Sequence, residues 1–163
     1  MDLLRTIAAR FSRLLNSPWI SEGEPIPDKD TVGRYGEKLA ARWLYVNGCK
    51  VLYRNYRGPR GGEVDIVVRQ GNLLGFVEVK TRTSTAFGRP AAAVTLSKQA
   101  LIVRGAAAYL RMLYGARDIP WRLDIVEVLL IPGRKPEVNW IQGAFQSTDV
   151  KREMARQREG RGG

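Results

Sequence analysis

The apolar positions of this chain repeat with helical spacing in some stretches and alternate like strands in others. A Pro- and acid-rich stretch, "SPWISEGEPIPDKD", reads as a linker. After it, Ala40, Ala41 and Leu44 recur at helical spacing, which predicts a helix capped by Asp30, running through Val46 and closed by Asn47-Gly48. Cys49 to Tyr56 predicts a strand, and the turn-rich "RGPRGG" follows it. Glu63–Arg69 and Leu73–Lys80 predict a hairpin, and Thr95 or Ser97 can cap a helix running to about Tyr114. Trp121–Ile131 is a strong strand pattern and Val138–Phe145 a weak last one. The order is αβββαβ, which predicts an α/β domain over residues 31–146 with a central mixed β-sheet flanked by helices. Residues 1–30 are expected to form an N-terminal amphipathic helix (Leu4, Ile7, Phe11, Leu14) and a linker, and residues 147–163 a charged, mobile tail.

The hairpin carries charges where a sheet packs its core. Gly71-Asn72 fits a two-residue turn, which pairs Gln70 with Leu73 and so sets Asp65 across from Glu78 and Glu63 across from Lys80. Val64/Val79, Ile66/Val77 and Val68/Gly75 then make one apolar face, and the other face turns polar toward one end. Directly opposed side chains have Cβ atoms ~5 Å apart, so Asp65 and Glu78 repel unless a cation lies between them. Magnesium suits that place, and Lys80 points to the same face. The plainer alternative is a Glu63–Lys80 ion pair with Asp65 and Glu78 solvated at a sheet end.

Composition narrows the chemistry. The 163 residues include 27 Lys+Arg against 16 Asp+Glu, a net charge of +11, which favours nucleic acid as partner and an anionic membrane surface after it. There is no histidine and only one cysteine, Cys49, which argues against a zinc site, a Ser-His-Asp triad and an internal disulfide. Any metal would be a hard cation on carboxylates. No run has the apolar length of a membrane span, and Arg5, Arg10 and Arg13 interrupt the apolar stretches that a signal peptide needs. A cytoplasmic protein without integral membrane association is the expectation.

Further residues join the hairpin acids. Glu37 lies in line with Ala40, Ala41 and Leu44, either as an edge glutamate or as a third carboxylate over the sheet. Arg82 and Arg89 follow Lys80 in a polar loop, and Lys98 opens the next helix, where phosphate is readily held.

The Asp65…Glu78-x-Lys80 arrangement after a helical Glu resembles the PD-(D/E)xK nuclease core, with Val64 where that motif's name has proline. "GRYGEKLAARWLYVNG", "GGEVDIVV", "FVEVKTRTSTAFGRP", the Lys98 helix and "WRLDIVEV" together resemble the YraN-like family of bacterial predicted endonucleases, over about Gly33 to Leu130. The resemblance implies a restriction-endonuclease-like fold, related to archaeal Holliday-junction resolvases, which act as dimers. It implies that Asp65 and Glu78, with the Val79 carbonyl, ligate magnesium, or manganese in its place. Lys80 would position or activate the attacking water, Glu37 would support the metal shell directly or through water, and Lys98 would hold phosphate or a reaction oxygen. Arg82 and Arg89 would contact nucleic acid, while Arg122 and Asp124 are structural. Glu63 carries no implied role, and pairing with Lys80 is its default.

The expectation is a metal-dependent DNA endonuclease acting on branched or structured DNA, with a homodimer suggested by the resolvase analogy alone. A non-catalytic nucleic-acid-binding protein of the same fold is the first alternative. A structural adaptor docking through residues 1–20 is the second.

Overall fold

The computed structural model describes residues 15–86, 94–113 and 119–159. The amphipathic run through Leu4, Ile7, Phe11 and Leu14 lies outside the described residues, as does Arg89. Five strands form one mixed sheet in the order β1-β2-β3-β4-β5: β1 (Lys50–Arg57), β2 (Glu63–Gln70), β3 (Leu73–Arg82), β4 (Trp121–Leu129) and β5 (Glu137–Phe145). Only β3 and β4 run parallel, because the helix α2 (Leu96–Met112) lies between them in the chain and carries it back across the sheet. Helix α1 (Lys29–Val46) precedes the sheet and α3 (Ser147–Glu159) follows it. The expected α/β architecture, a mixed sheet flanked by helices, is the one observed. Among the described residues no helix is long and apolar enough to cross a membrane.

Both faces of the sheet are covered. Ile66, Val68, Val77, Val79, Val126 and Val128 pack on Leu39, Ala40, Ala41 and Leu44 of α1. Val67, Phe76, Leu123 and Ile125 pack on Ile102, Val103, Ala106 and Tyr109 of α2. The hairpin register is the expected one, with Gln70 opposite Leu73 and Ile66 opposite Val77 across a turn at Gly71 (φ 58°). Three expectations about its far end need correction. The β2–β3 ladder stops at Ile66/Val77, so neither Asp65 with Glu78 nor Glu63 with Lys80 forms a cross-strand pair. Val64 packs with the α2 cluster and not with Ile66 and Val79. The cause lies in β1, where Asn55 adopts φ 53° between the pairs Arg54/Ile66 and Tyr56/Val64, breaking the alternation of sides opposite Asp65.

Other boundaries moved for local reasons. The cap of α1 is Asp28 instead of Asp30: its carboxylate accepts from Asp30 N at 3.0 Å, Thr31 N at 2.9 Å and Thr31 Oγ1 at 2.7 Å. The expected linker is tied down, since Trp19 packs on Tyr35 at 5.8 Å between ring centroids and the Gly133 N–H donates to Ile20 O. The expected mobile tail is helical from Ser147 to Glu159, held by buried Val150 and by Met154 against the α2 cluster.

Arg122 and Asp124 form the structural knot expected of them. Asp124, fully buried, accepts from Arg122 Nε at 2.9 Å, Trp140 Nε1 at 3.0 Å and Gly143 N at 2.9 Å, and Arg122 also donates to Gln70 Oε1. The knot ties β2, β4 and β5 on the α1 side. Asp124→Ala should cost roughly 2–4 kcal/mol in urea unfolding, because the buried acceptor shared by Arg122, Trp140 Nε1 and Gly143 N is lost. A loss below about 1 kcal/mol would show the knot to be incidental. Helix α2 crosses the start of β2 backbone to backbone, where a Cβ on Gly62 would stand 2.3 Å from Gly105 N. Gly62→Ala should therefore lower stability by about 1–3 kcal/mol and push the middle of α2 away from the sheet.

Candidate active site

Where β2 and β3 part, a backbone donor loses its sheet partner. Val79 N–H donates to Asp65 Oδ2 at 2.8 Å instead of to a β2 carbonyl. In a strand, the N–H and C=O of one residue point to the same edge, so the Val79 carbonyl shares that gap with the Asp65 carboxylate. Glu78 and Lys80 stand on the α2 side of β3 with Phe76, because side chains alternate along the strand.

Glu78 is 2% exposed, an unusual burial for a carboxylate. Lys80 Nζ lies 2.8 Å from its Oε1, and Lys98 Nζ lies 3.4 Å from its Oε2. The second contact is a charge contact only, so among the described residues the buried Oε2 has no hydrogen-bond partner. Lys98 reaches the site from the first turn of α2, whose cap Thr95 accepts from the Lys98 N–H. Its ammonium is held by a short hydrogen bond to Glu63 Oε1. Glu63 is thus paired with Lys98 in place of Lys80, and it tethers the lysine instead of standing idle. Burial works against the Lys98 charge, but the Glu63 hydrogen bond and the fields of Glu78 and Asp65 outweigh it and raise its pKa. The Lys98 hydrogen bond likewise lowers the Glu63 pKa.

Glu37 approaches from the other side of the sheet. Its neighbour Gly36 is pressed so closely on Thr81 that a Cβ would stand 1.8 Å from Thr81 Oγ1, which fixes this turn of α1 beside the end of β3. Among the described residues, no three His, Cys, Asp or Glu side chains gather closely enough to hold one ion, so Glu37 is near the acidic pair but not joined to it. Arg82 lies two residues beyond Lys80 on β3, and its carbonyl accepts from Leu130 N at 2.7 Å. Two further neighbours escaped the sequence reading. Glu127 pairs in register with Lys80, and Asn139 donates to its Oε2 at 2.9 Å. That neighbourhood depends on a parallel register which no local pattern in the chain encodes.

The electrostatics concentrate on Asp65. Burial first, and the Glu78 carboxylate second, push its pKa up to about 7, against the pull of Val79 N–H and Lys98, and Glu37 adds to the rise. The residues fit a hard divalent cation: two oxygen donors crowd together, one buried oxygen lacks a partner, and a backbone carbonyl is at hand. The same crowding has a consequence for metal-free protein. A carboxyl with a higher pKa folded than unfolded takes up a proton on folding, so its contribution to stability falls as pH rises from about 4 to about 7. Asp65→Asn removes that loss while keeping an acceptor for Val79 N–H. In EDTA at pH 8 the variant should exceed the parent in stability by on the order of 2–4 kcal/mol, the gap closing toward pH 4 in paired thermal melts. Parallel stability curves across that range would place the Asp65 charge outside any strained pair.

Comparison with known proteins bears on the same region. The family described as "Uncharacterised protein family UPF0102" matches residues 36–128, a span that includes Glu37, Asp65, Glu78, Lys80 and Lys98. A UPF0102 protein of Solibacter usitatus (strain Ellin6076) is 46% identical over 117 residues, covering 69% of this chain and 84% of that protein. One from Nocardia farcinica (strain IFM 10152) is 41% identical over 123 residues, covering 74% and 93%. One from Beutenbergia cavernae is 45% identical over 115 residues, covering 71% and 96%.

Proposed function

The chain belongs to the UPF0102, or YraN-like, family, and we propose that it is a metal-dependent endonuclease that hydrolyses phosphodiester bonds in branched or structured DNA. The observation that carries this reading is the buried Glu78 with an unpartnered oxygen beside Asp65, two lysines closing over them. A module that only binds phosphate has no need of carboxylates at that point. The net charge of +11 supports a polyanionic partner.

Asp65 and Glu78, with the Val79 carbonyl, would hold magnesium, or manganese in its place. Bound there, the ion supplies a Lewis acid that lowers the pKa of water and offsets charge on phosphate. The chain's own groups supply the rest. Lys80, partly exposed and 2.8 Å from Glu78 Oε1, holds a mobile donor between the carboxylates and solvent, where it can orient water and meet phosphate charge. Lys98, fixed by Glu63 on the first turn of α2, presents a second cation at a helix N-terminus, a suitable seat for a phosphate oxygen. Glu37 would act through water at the rim. Arg82 extends the cationic row of β3 away from the acids, toward where a nucleic-acid backbone would run.

The test is cleavage of four-way junction, flap, linear duplex and single-stranded DNA by purified protein, in magnesium and then manganese. Cutting should fall by on the order of 10²–10³-fold or more in Asp65→Asn and in Lys80→Ala, both checked for folding. Cutting that survives Asp65→Asn would sink the proposal. Binding without cutting in either metal would favour the non-catalytic alternative.

A further inference from the structure

The outer strand β1 takes no part in the carboxylate site, yet its composition is unlike that of an ordinary sheet edge. Among the described residues it pairs only with β2; it contains no acid, and its Lys50, Arg54 and Arg57 are exposed. Arg57, with 84% of its side chain exposed, lies 4.0 Å from Glu63, so this basic strand ends beside the group that tethers Lys98. Basic side chains at a sheet edge guard against edge-to-edge pairing, which alone would explain the arginines.

Tyr53 is not explained that way. It is 49% exposed, although a large apolar ring at an edge works against such guarding. Its ring is held edge-on to Tyr56 at 5.6 Å, and Tyr56 is held in turn on Tyr109 of α2 at 5.2 Å. The left-handed Asn55 between them breaks the alternation of β1, which lets tyrosines three residues apart meet on one side. A braced ring with an open face, on an edge strand that also carries three exposed cations, is the arrangement that stacks an unpaired base while its phosphates are neutralised. Duplex offers no free base face to such a ring.

We propose that β1 is a track for an unpaired strand of nucleic acid, a base stacking on Tyr53 and phosphates lying along Lys50, Arg54 and Arg57. From Tyr53 to Arg57 the strand rises about 13 Å, a span that a short run of nucleotides covers. Its direction toward Asp65 and Glu78 rests on the nuclease reading and names the substrate class of that site: nucleic acid with a single-stranded segment next to the scissile bond. The binding itself does not rest on that reading.

The full chain, in EDTA so that no cleavage enters, would be titrated into fluorescein-labelled oligothymidylate, oligouridylate and a duplex of equal length. Tyr53→Ala should weaken single-strand binding roughly ten-fold or more, while Tyr53→Phe keeps it and duplex affinity is unchanged. Arg54→Ala with Arg57→Ala should weaken binding and flatten its salt dependence. Loss of either the thymidylate or the uridylate complex in Tyr53→Ala supports the track. Single-strand affinity unchanged in Tyr53→Ala, or lost equally for duplex, would overturn it. So would a concentration-dependent dimer in sedimentation that Tyr53→Ala abolishes without altering single-strand binding, since the edge would then belong to a second copy. Failure here leaves the cleavage test untouched, and failure of cleavage leaves these titrations readable.

Discussion

The separation of β2 from β3 beyond Ile66/Val77 governs the rest of the site. A backbone N–H that loses its ladder partner inside a protein has to find another, and here Val79 finds the Asp65 carboxylate. That one hydrogen bond draws an acid into the gap between two strands, next to the buried Glu78. The gap is held open from three directions. The left-handed Asn55 breaks the regular course of β1 alongside β2, α2 crosses the start of β2 at Gly62 and Gly105, and α1 presses Gly36 on Thr81. All three lie in helices and strands or at their ends, so the opening belongs to the scaffold and not to a loop.

Charge is then distributed unevenly across the opening. Glu63 neutralises much of Lys98, and Lys80 engages one oxygen of Glu78, leaving Asp65 and the second Glu78 oxygen without full compensation. Burying an uncompensated carboxylate costs stability. The rise of the Asp65 pKa expresses that cost in the metal-free chain. A divalent cation held as proposed by Asp65, Glu78 and the Val79 carbonyl would relieve it. On the opposite side of the sheet Asp124 shows the contrast. It is as buried as Glu78, but Arg122, Trp140 and Gly143 satisfy it, and it has nothing left to offer a ligand.

The chain disclosed its architecture and its acids because both rest on short-range signals. Alternating apolar residues about Gly71-Asn72 set the hairpin register, and Thr95 marked the start of α2. What it concealed depends on contacts between distant segments. The Glu63–Lys98 tether joins residues 35 positions apart. The pairing of Glu127 with Lys80 follows from a parallel register set by a crossover. The flip of Val64 accompanies a left-handed Asn55, a conformation that asparagine tolerates better than most residues but that one Asn inside a strand pattern does not announce by itself. Asp28 prevailed over Asp30 because its carboxylate stands three residues before Thr31, the spacing that reaches both the N–H and the hydroxyl of that residue. The terminal helix was hidden by its charge, since only Val150 is buried and the pattern offers little else to read.

Binding of manganese to the apo protein, followed by the loss of its free-ion paramagnetic resonance signal, tests the central claim most directly. A saturable site with one ion per chain, abolished in Asp65→Asn and in Glu78→Gln but kept in Asp124→Asn, is the result that the geometry predicts. No saturable binding, or binding indifferent to Asp65 and Glu78, would contradict it and leave the open carboxylate pair without a chemical purpose.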